Sequence, residues 1–282
     1  MANALAPRPT SYVATVVAIA TEPLVDDTSA TLRTLGTASA VRTILITLGD
    51  RAEPPIDRDA TGQATTLHGL VPRFVNNAMA ALRLSSLPSL VWWRSPEAEL
   101  LPDIAHLVDR IVLDAPDAGP SWAQARQLRG VCSFSDLRWT RLTRWRSLMA
   151  QFFDLPDVRA RADAYRQLRI SAADADAARL FGAWMRSRLP NGKSLAVSVT
   201  ASDAHLGPVS AVTLEGDGQE LGLRLQPNRT CVEATLRRDR QPEAVRVVPI
   251  GSMSHVSLLC EEMRVRSRDV AFEEALEGVD QV

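Results

Sequence analysis

The chain has almost no lysine, few cysteines and no long uninterrupted apolar run. Lys193 is the sole lysine among 32 basic residues, a bias of composition from which no mechanism follows. Cys132, Cys231 and Cys260 are odd in number and far apart. That excludes a disulfide framework and predicts reduced thiols in a cytosol. No stretch reaches the roughly 20 uncharged apolar residues of a membrane-spanning helix. Met1 to Thr10, with Pro7 and Pro9, lacks the apolar core of a signal peptide. A cytoplasmic protein with no membrane contact is expected. A formal net charge of -1 over 282 residues gives no field that favours nucleic acid.

Catalytic motifs are missing too. No G-x-G-x-x-G follows a strand, so the dinucleotide fingerprint is absent. Gly192-Lys193-Ser194 ends like a phosphate loop, but Ser187 stands at the first glycine position and Pro190 interrupts it. Gly251-Ser252-Met253-Ser254-His255 lacks the closing glycine of a nucleophile elbow, and Ser252 or Ser254 is instead a helix cap. His68, His106, His205 and His255 are isolated from one another and from cysteines at ligand spacing. The acid pairs Asp26-Asp27, Asp174-Asp176 and Glu261-Glu262 fit helix ends or exposed helix faces. No catalytic residue and no metal ligand is predicted.

What the chain does contain is a full complement of apolar residues, 46%, enough for a normal core. Tyr12 to Ala20, Thr43 to Leu48 and Ser89 to Trp93 are apolar runs of strand length, and Ile111 to Leu113 is a shorter one. Helical patterns over 26–35, 71–84 and 100–108 alternate with them, the first stopped by Gly36. This alternation predicts an N-terminal open α/β layer domain whose strands are covered on both faces. A helix follows over 139–153. Leu155-Pro156-Asp157 marks a domain boundary, giving domains 1–155 and 156–282. The second half begins with a helix from about Ser171 to Leu189. Strands then alternate over 195–200, 209–214, 221–225, 231–236 and 244–248, with a hairpin signal at Gly216-Asp217-Gly218. Two helices close the chain. An α+β domain is predicted, an antiparallel meander with helices on one face.

Four of the six tryptophans fall in two arginine-rich segments. One is Leu90-Val91-Trp92-Trp93-Arg94. The other is Asp136-Leu137-Arg138-Trp139-Thr140-Arg141-Leu142-Thr143-Arg144-Trp145-Arg146. Trp beside Arg is the residue signature of interface hot spots rather than of catalytic centres. In a strand Trp92 and Trp93 point to opposite faces, so at least one packs under a helix. Trp145 shares an apolar stripe with Leu142 and Met149, which favours core packing. Arg94, Arg138, Arg141 and Arg144 are harder to bury. They form either a solvated rim or a surface that recognises carboxylates or phosphates.

These two segments, in this order, resemble the glucose-6-phosphate dehydrogenase assembly protein family, also called OpcA. Its pattern is an apolar strand ending in a Trp pair, then a D-L-x-W-T-R-L-T-x-W-R helix start. The resemblance implies a non-catalytic protein without a cofactor, an allosteric activator in glucose metabolism. Such a protein binds glucose-6-phosphate dehydrogenase and promotes its assembly or activity in the oxidative pentose phosphate pathway. The expected partner contacts are Trp92, Trp93, Arg94, Trp139, Arg141, Arg144 and Trp145. Cys260 is alone near the C-terminus, so the cysteine pair of redox-regulated members is not matched, and function is expected to tolerate mild oxidation. A second reading is a small-molecule sensor or enzyme that binds a phosphorylated metabolite in the α/β domain, with arginines as phosphate clamps.

Overall fold

Strand β1 (Ala14–Ala20) is buried along nearly its whole length, as an uncharged β-branched run should be in the middle of a parallel sheet. The computed structural model describes residues 12–82, 86–203, 207–265 and 267–282. Among these, one compact unit runs to Leu137 and takes in Ser254–Arg268; the other comprises Arg138–Met253 and Asp269–Val282.

In the first unit β1 is joined by β2 (Val41–Arg51), β3 (Ile56–Arg58), β4 (Ala64–Leu70), β5 (Ser89–Arg94), β6 (Arg110–Leu113) and β7 (Ser133–Asp136). The spatial order is β3-β4-β2-β1-β5-β6-β7. Every neighbouring pair is parallel except β3 with β4. Helices α1 (Val25–Ala38), α2 (Val75–Leu82), α3 (Leu101–Ala105) and α4 (Ala118–Leu128) alternate with the strands. From β1 the chain steps first to β2 on one side and later to β5 on the other. The strand order therefore reverses between β1 and β5, and open α/β sheets leave a crevice at the carboxyl ends of such a pair. Ala20 and Arg94 are register partners there.

The α/β layer reading holds, with differences of detail. Gly36 does not stop α1, which continues to Ala38. Its carbonyl accepts a hydrogen bond from the Gln63 side-chain amide at 2.7 Å. The polar, proline-containing stretch 51–63 holds β3, a short exposed strand. α4 and β7 had no expectation attached: α4 opens on Ala118-Gly119-Pro120, and β7 is only Ser-Phe-Ser-Asp. The predicted helix end at Leu84, His205 and Met1 to Thr10 lie outside the described residues.

The second unit begins inside α5 (Leu137–Arg141) and continues through α6 (Thr143–Phe152) and α7 (Pro156–Ala160). β8 (Gln167–Ala172), α8 (Ala175–Arg188), β9 (Ala196–Ala201), β10 (Val209–Gly216), β11 (Gln219–Leu225), β12 (Cys231–Arg238) and β13 (Gln241–Pro249) follow. Helix α9 (His255–Arg264) belongs to the first unit and α10 (Val270–Gly278) to the second. The sheet runs β13-β12-β11-β10-β8-β9 and is antiparallel except for β8 with β9. Leu168, Ile170, Val212, Leu214, Leu221, Leu223 and Val232 are buried and alternate with exposed or half-exposed neighbours, so one face carries the core. At the β10–β11 hairpin Asp217 and Gly218 both have positive φ, 46° and 71°, which is the two-residue turn that Asp-Gly favours.

One expectation shifts here. The helix over 139–153 is two helices, broken at Leu142, whose N–H is shared between the carbonyls of Arg138 and Trp139. β8 had no expectation attached: the stretch from Arg159 to Arg169 is rich in charge, and Gln167 and Arg169 take the exposed positions of the strand. The two compact units divide after Leu137. Leu137 packs in the core of Val16, Trp92 and Val112, whereas Trp139 packs on Phe272.

Candidate functional site

Arg94 ends β5 with its side chain at the crevice beside β1, and it is almost wholly buried. A guanidinium there needs compensating charge. Its Nη1 donates to Asp27 Oδ2 at 2.6 Å and to Thr28 Oγ1 at 2.7 Å, both in the first turn of α1. Its Nε lies 3.2 Å from Asp114 Oδ2 as an ion pair without good hydrogen-bond alignment. Two residues back along the same strand face, the Trp92 ring lies under the guanidinium, 4.5 Å from Cζ to centroid. The Trp92 indole N–H donates to Asp114 at 3.1 Å.

His255 closes the group. It is the first residue of α9, held there because Ser254 caps that helix through the N–H of Ser257. Its Nδ1 is 3.3 Å from Asp27 Oδ2, its Nε2 is 3.7 Å from Asp114 Oδ2, and its ring lies 5.2 Å from that of Trp92. One arginine, one histidine and two carboxylates thus tie α1, β5, the residue after β6 and α9 into a single knot. The sequence pointed to Trp92 and Arg94. It treated Asp27 as part of an acid pair at a helix end, and His255 as an isolated histidine in a failed elbow. The missed signal is an arginine at the carboxyl end of a fully apolar parallel strand, which must find acids at that end.

Trp93 points to the opposite face and is fully buried, its indole N–H without a hydrogen-bond partner among the described residues. Glu262 was expected on an exposed helix face, and the structure corrects this. It is buried, accepting from Arg110 Nε at 2.9 Å and from Ser135 Oγ at 2.9 Å. Arg110, itself buried on β6, is what draws it in. Beside them a cavity of about 280 Å³, lined among others by Val41, Leu90, Arg110, Cys260 and Glu262, sits at the amino ends of β1 and β5.

The second tryptophan segment lies in the second unit, where Arg138, Trp139 and Trp145 are buried. The Trp139 indole N–H donates to Asp269 Oδ2 at 2.8 Å, and its ring contacts Phe272 at 5.8 Å. Arg146 stacks on the ring at 3.4 Å. Arg138 Nε lies 3.2 Å from Asp174 Oδ2. Arg141 and Arg144 are half-exposed, and Arg144 Nε donates to the carbonyl of Pro249, the last residue of β13, at 3.0 Å. Of the seven residues singled out from sequence, five are therefore internal and two reach the surface.

Cys132 is buried, and that burial pushes its thiol up to about 12; Cys231 and Cys260 are free and half-buried. Among the described residues no group of three or more His, Cys, Asp and Glu side chains could hold a metal ion, and no helix is long and apolar enough to cross a membrane.

A family profile for the C-terminal domain of the OpcA-type glucose-6-phosphate dehydrogenase subunit matches residues 132–276, more than half of the chain. An OxPP cycle protein OpcA of Synechocystis sp. is 30% identical over 124 residues, and one of Nostoc punctiforme is 25% identical over 124 residues. Each match covers 41% of this chain but only 26% and 27% of the relative's length. Two solved structures share the fold at low identity. The aldose-aldose oxidoreductase from Caulobacter crescentus, complexed with glycerol, has a TM-score of 0.50 at 11% identity, covering 95% of both chains. The WlbA dehydrogenase from Chromobacterium violaceum, in complex with NADH and UDP-GlcNAcA, has a TM-score of 0.54 at 7% identity. It covers 99% of this chain and 94% of that one.

Proposed function

Because the chain belongs to the OpcA family, we propose that it is a non-catalytic accessory protein that binds glucose-6-phosphate dehydrogenase and promotes its assembly or activity. The observation that carries this reading is the family match over 132–276, which includes the whole Trp/Arg segment of α5 and α6. Arg141 and Arg144 are the contacts offered to the partner. Trp139 and Trp145 shape that surface from beneath, and Trp92, Trp93 and Arg94 hold the first unit together.

The crevice between β1 and β5 supports the absence of turnover. In open α/β sheets this is where nucleotides bind, with phosphate against the N-terminus of the first helix. Here Asp26 and Asp27 occupy the first turn of α1, and Pro23 stands in the short turn before it. Carboxylates at that end satisfy the helix dipole and repel phosphate. The alternative class, a sensor or enzyme for a phosphorylated metabolite, would use arginines as clamps. Arg94 and Arg110 already face Asp27, Asp114 and Glu262, so phosphate would have to displace a carboxylate.

The mechanism is mass action. An accessory protein that prefers the active oligomer shifts the population toward it by no more than its differential affinity. Pull-down of the dehydrogenase from lysate, set against calorimetric titration with sugar phosphates, separates the two readings. Capture with no heat of sugar-phosphate binding supports the accessory role; saturable sugar-phosphate binding without capture overturns it.

A further inference from the structure

β13 is exposed on both faces along almost its entire length, although it is the longest strand of its sheet. Among the described residues it pairs only with β12, which leaves its other edge open there. Native proteins blunt such edges with prolines, bulges and charge. Here those devices are confined to the ends. Pro242 and Pro249 lie near the two termini, and the register irregularity falls at Leu236/Arg237, opposite the hairpin end. The middle, Ala244-Val245-Arg246-Val247-Val248, carries none of them except the single charge of Arg246. Val245 is 58% and Val247 49% exposed, on the sheet face shared with Thr235 and Glu233.

Two hydrogen bonds tie this strand to the arginine-bearing helix. Arg144 donates to the carbonyl of Pro249, and Arg246 Nη2 donates to Gln151 Oε1 on α6 at 2.9 Å. The open edge is thus continuous with the surface that carries Arg144. Antiparallel pairing of two copies centred on this segment would set Arg246 against Arg246, and like charges directly opposite destabilise a strand pair. A foreign strand with an acidic residue at that place meets no such penalty.

We propose that β13 docks an extended, acidic segment of the dehydrogenase by strand addition, with Arg246 facing the acid and Val245 and Val247 packing on its apolar side chains. This inference rests on the accessory reading given above. It names the surface which that reading leaves open.

The test uses the full chain, its cognate dehydrogenase, and the variants Arg246→Glu and Val245→Asp/Val247→Asp. Dissociation constants come from analytical ultracentrifugation, with circular dichroism and thermal melting to check the fold. These side chains are exposed, so the variants are expected to melt like the parent. Both should bind the dehydrogenase at least about tenfold more weakly, since charge reversal and apolar loss act on one contact. Parent-like binding by both variants overturns strand addition while leaving the accessory role standing. No binding by the parent chain overturns both. A parent chain that dimerises through these residues, with dehydrogenase binding unchanged in the variants, assigns the edge to a second copy and also overturns the proposal.

Discussion

Arg94 Nη1 and Asp27 Oδ2 lie 2.6 Å apart, joining the end of β5 to the first turn of α1 across the crevice at the centre of the parallel sheet. Open α/β sheets commonly take phosphate at the N-terminus of the first helix; here the first turn of α1 carries the Asp27 carboxylate, which pairs with Arg94.

Removing that arginine should be costly. Arg94→Ala takes the guanidinium away from Asp114, whose side chain is only 10% exposed, while Asp27, half-exposed, can turn to water. Breaking a buried pair from one side costs about 3–5 kcal/mol, and the exposure of Asp27 places the expectation near the lower end, about 3 kcal/mol. Arg94→Lys should recover little, because one ammonium cannot reach Asp27, Thr28 and Asp114 together. Urea unfolding midpoints measure both. A variant as stable as the parent contradicts the description of the knot.

Alkaline pH should weaken the fold. Burial pushes Cys132 from 9.0 up to about 12 and Tyr165 from 10.0 up to about 12. The neutral Tyr165 hydroxyl also donates to Gln219 at 2.9 Å. Both groups hold their protons longer in the folded chain than in the unfolded one. Stability is therefore fully present below about pH 9 and falls as pH rises through the range from about 9 to about 12. Cys132→Ser together with Tyr165→Phe should flatten the slope in that window. An equal slope in the double variant would show that other groups set it.

Much of the first unit was legible in the sequence. β1, the Thr43 to Leu48 part of β2 and the Ser89 to Trp93 part of β5 are uncharged runs that suit a doubly covered sheet. The site was half legible. Trp92 and Arg94 could be read from their strand, but Asp114 and His255 join them from 20 and 161 residues further on, a pairing set by tertiary packing alone. The arginines misled in one respect. Arg94, Arg110 and Arg138 look like surface residues, yet each is buried with an acid within ion-pair distance, Asp114, Glu262 and the half-buried Asp174 respectively. The same rule explains Glu262. β8 escaped because its polar half, Gln167 and Arg169, reads as part of the preceding charged run.

The Trp/Arg segment makes a sharp contrast between neighbours. Arg141→Ala and Arg144→Ala should weaken activation of the dehydrogenase and leave the melting temperature near that of the parent, since both side chains are half-exposed. Trp145→Ala removes a buried ring and should cost about 3–5 kcal/mol of stability. Thermal melts beside activation assays distinguish the two classes. Arginine variants that activate as well as the parent would remove these residues from the contact.

The most direct test is the rate and the sedimentation mass of the cognate glucose-6-phosphate dehydrogenase, measured with and without the purified chain. An increase in rate of roughly 10- to 100-fold needs only about 1.4–2.8 kcal/mol of preference for the active oligomer, within the usual range of coupling energies. The account predicts that increase, with a larger sedimenting species and no turnover by the chain alone. An unchanged rate together with an unchanged mass contradicts it.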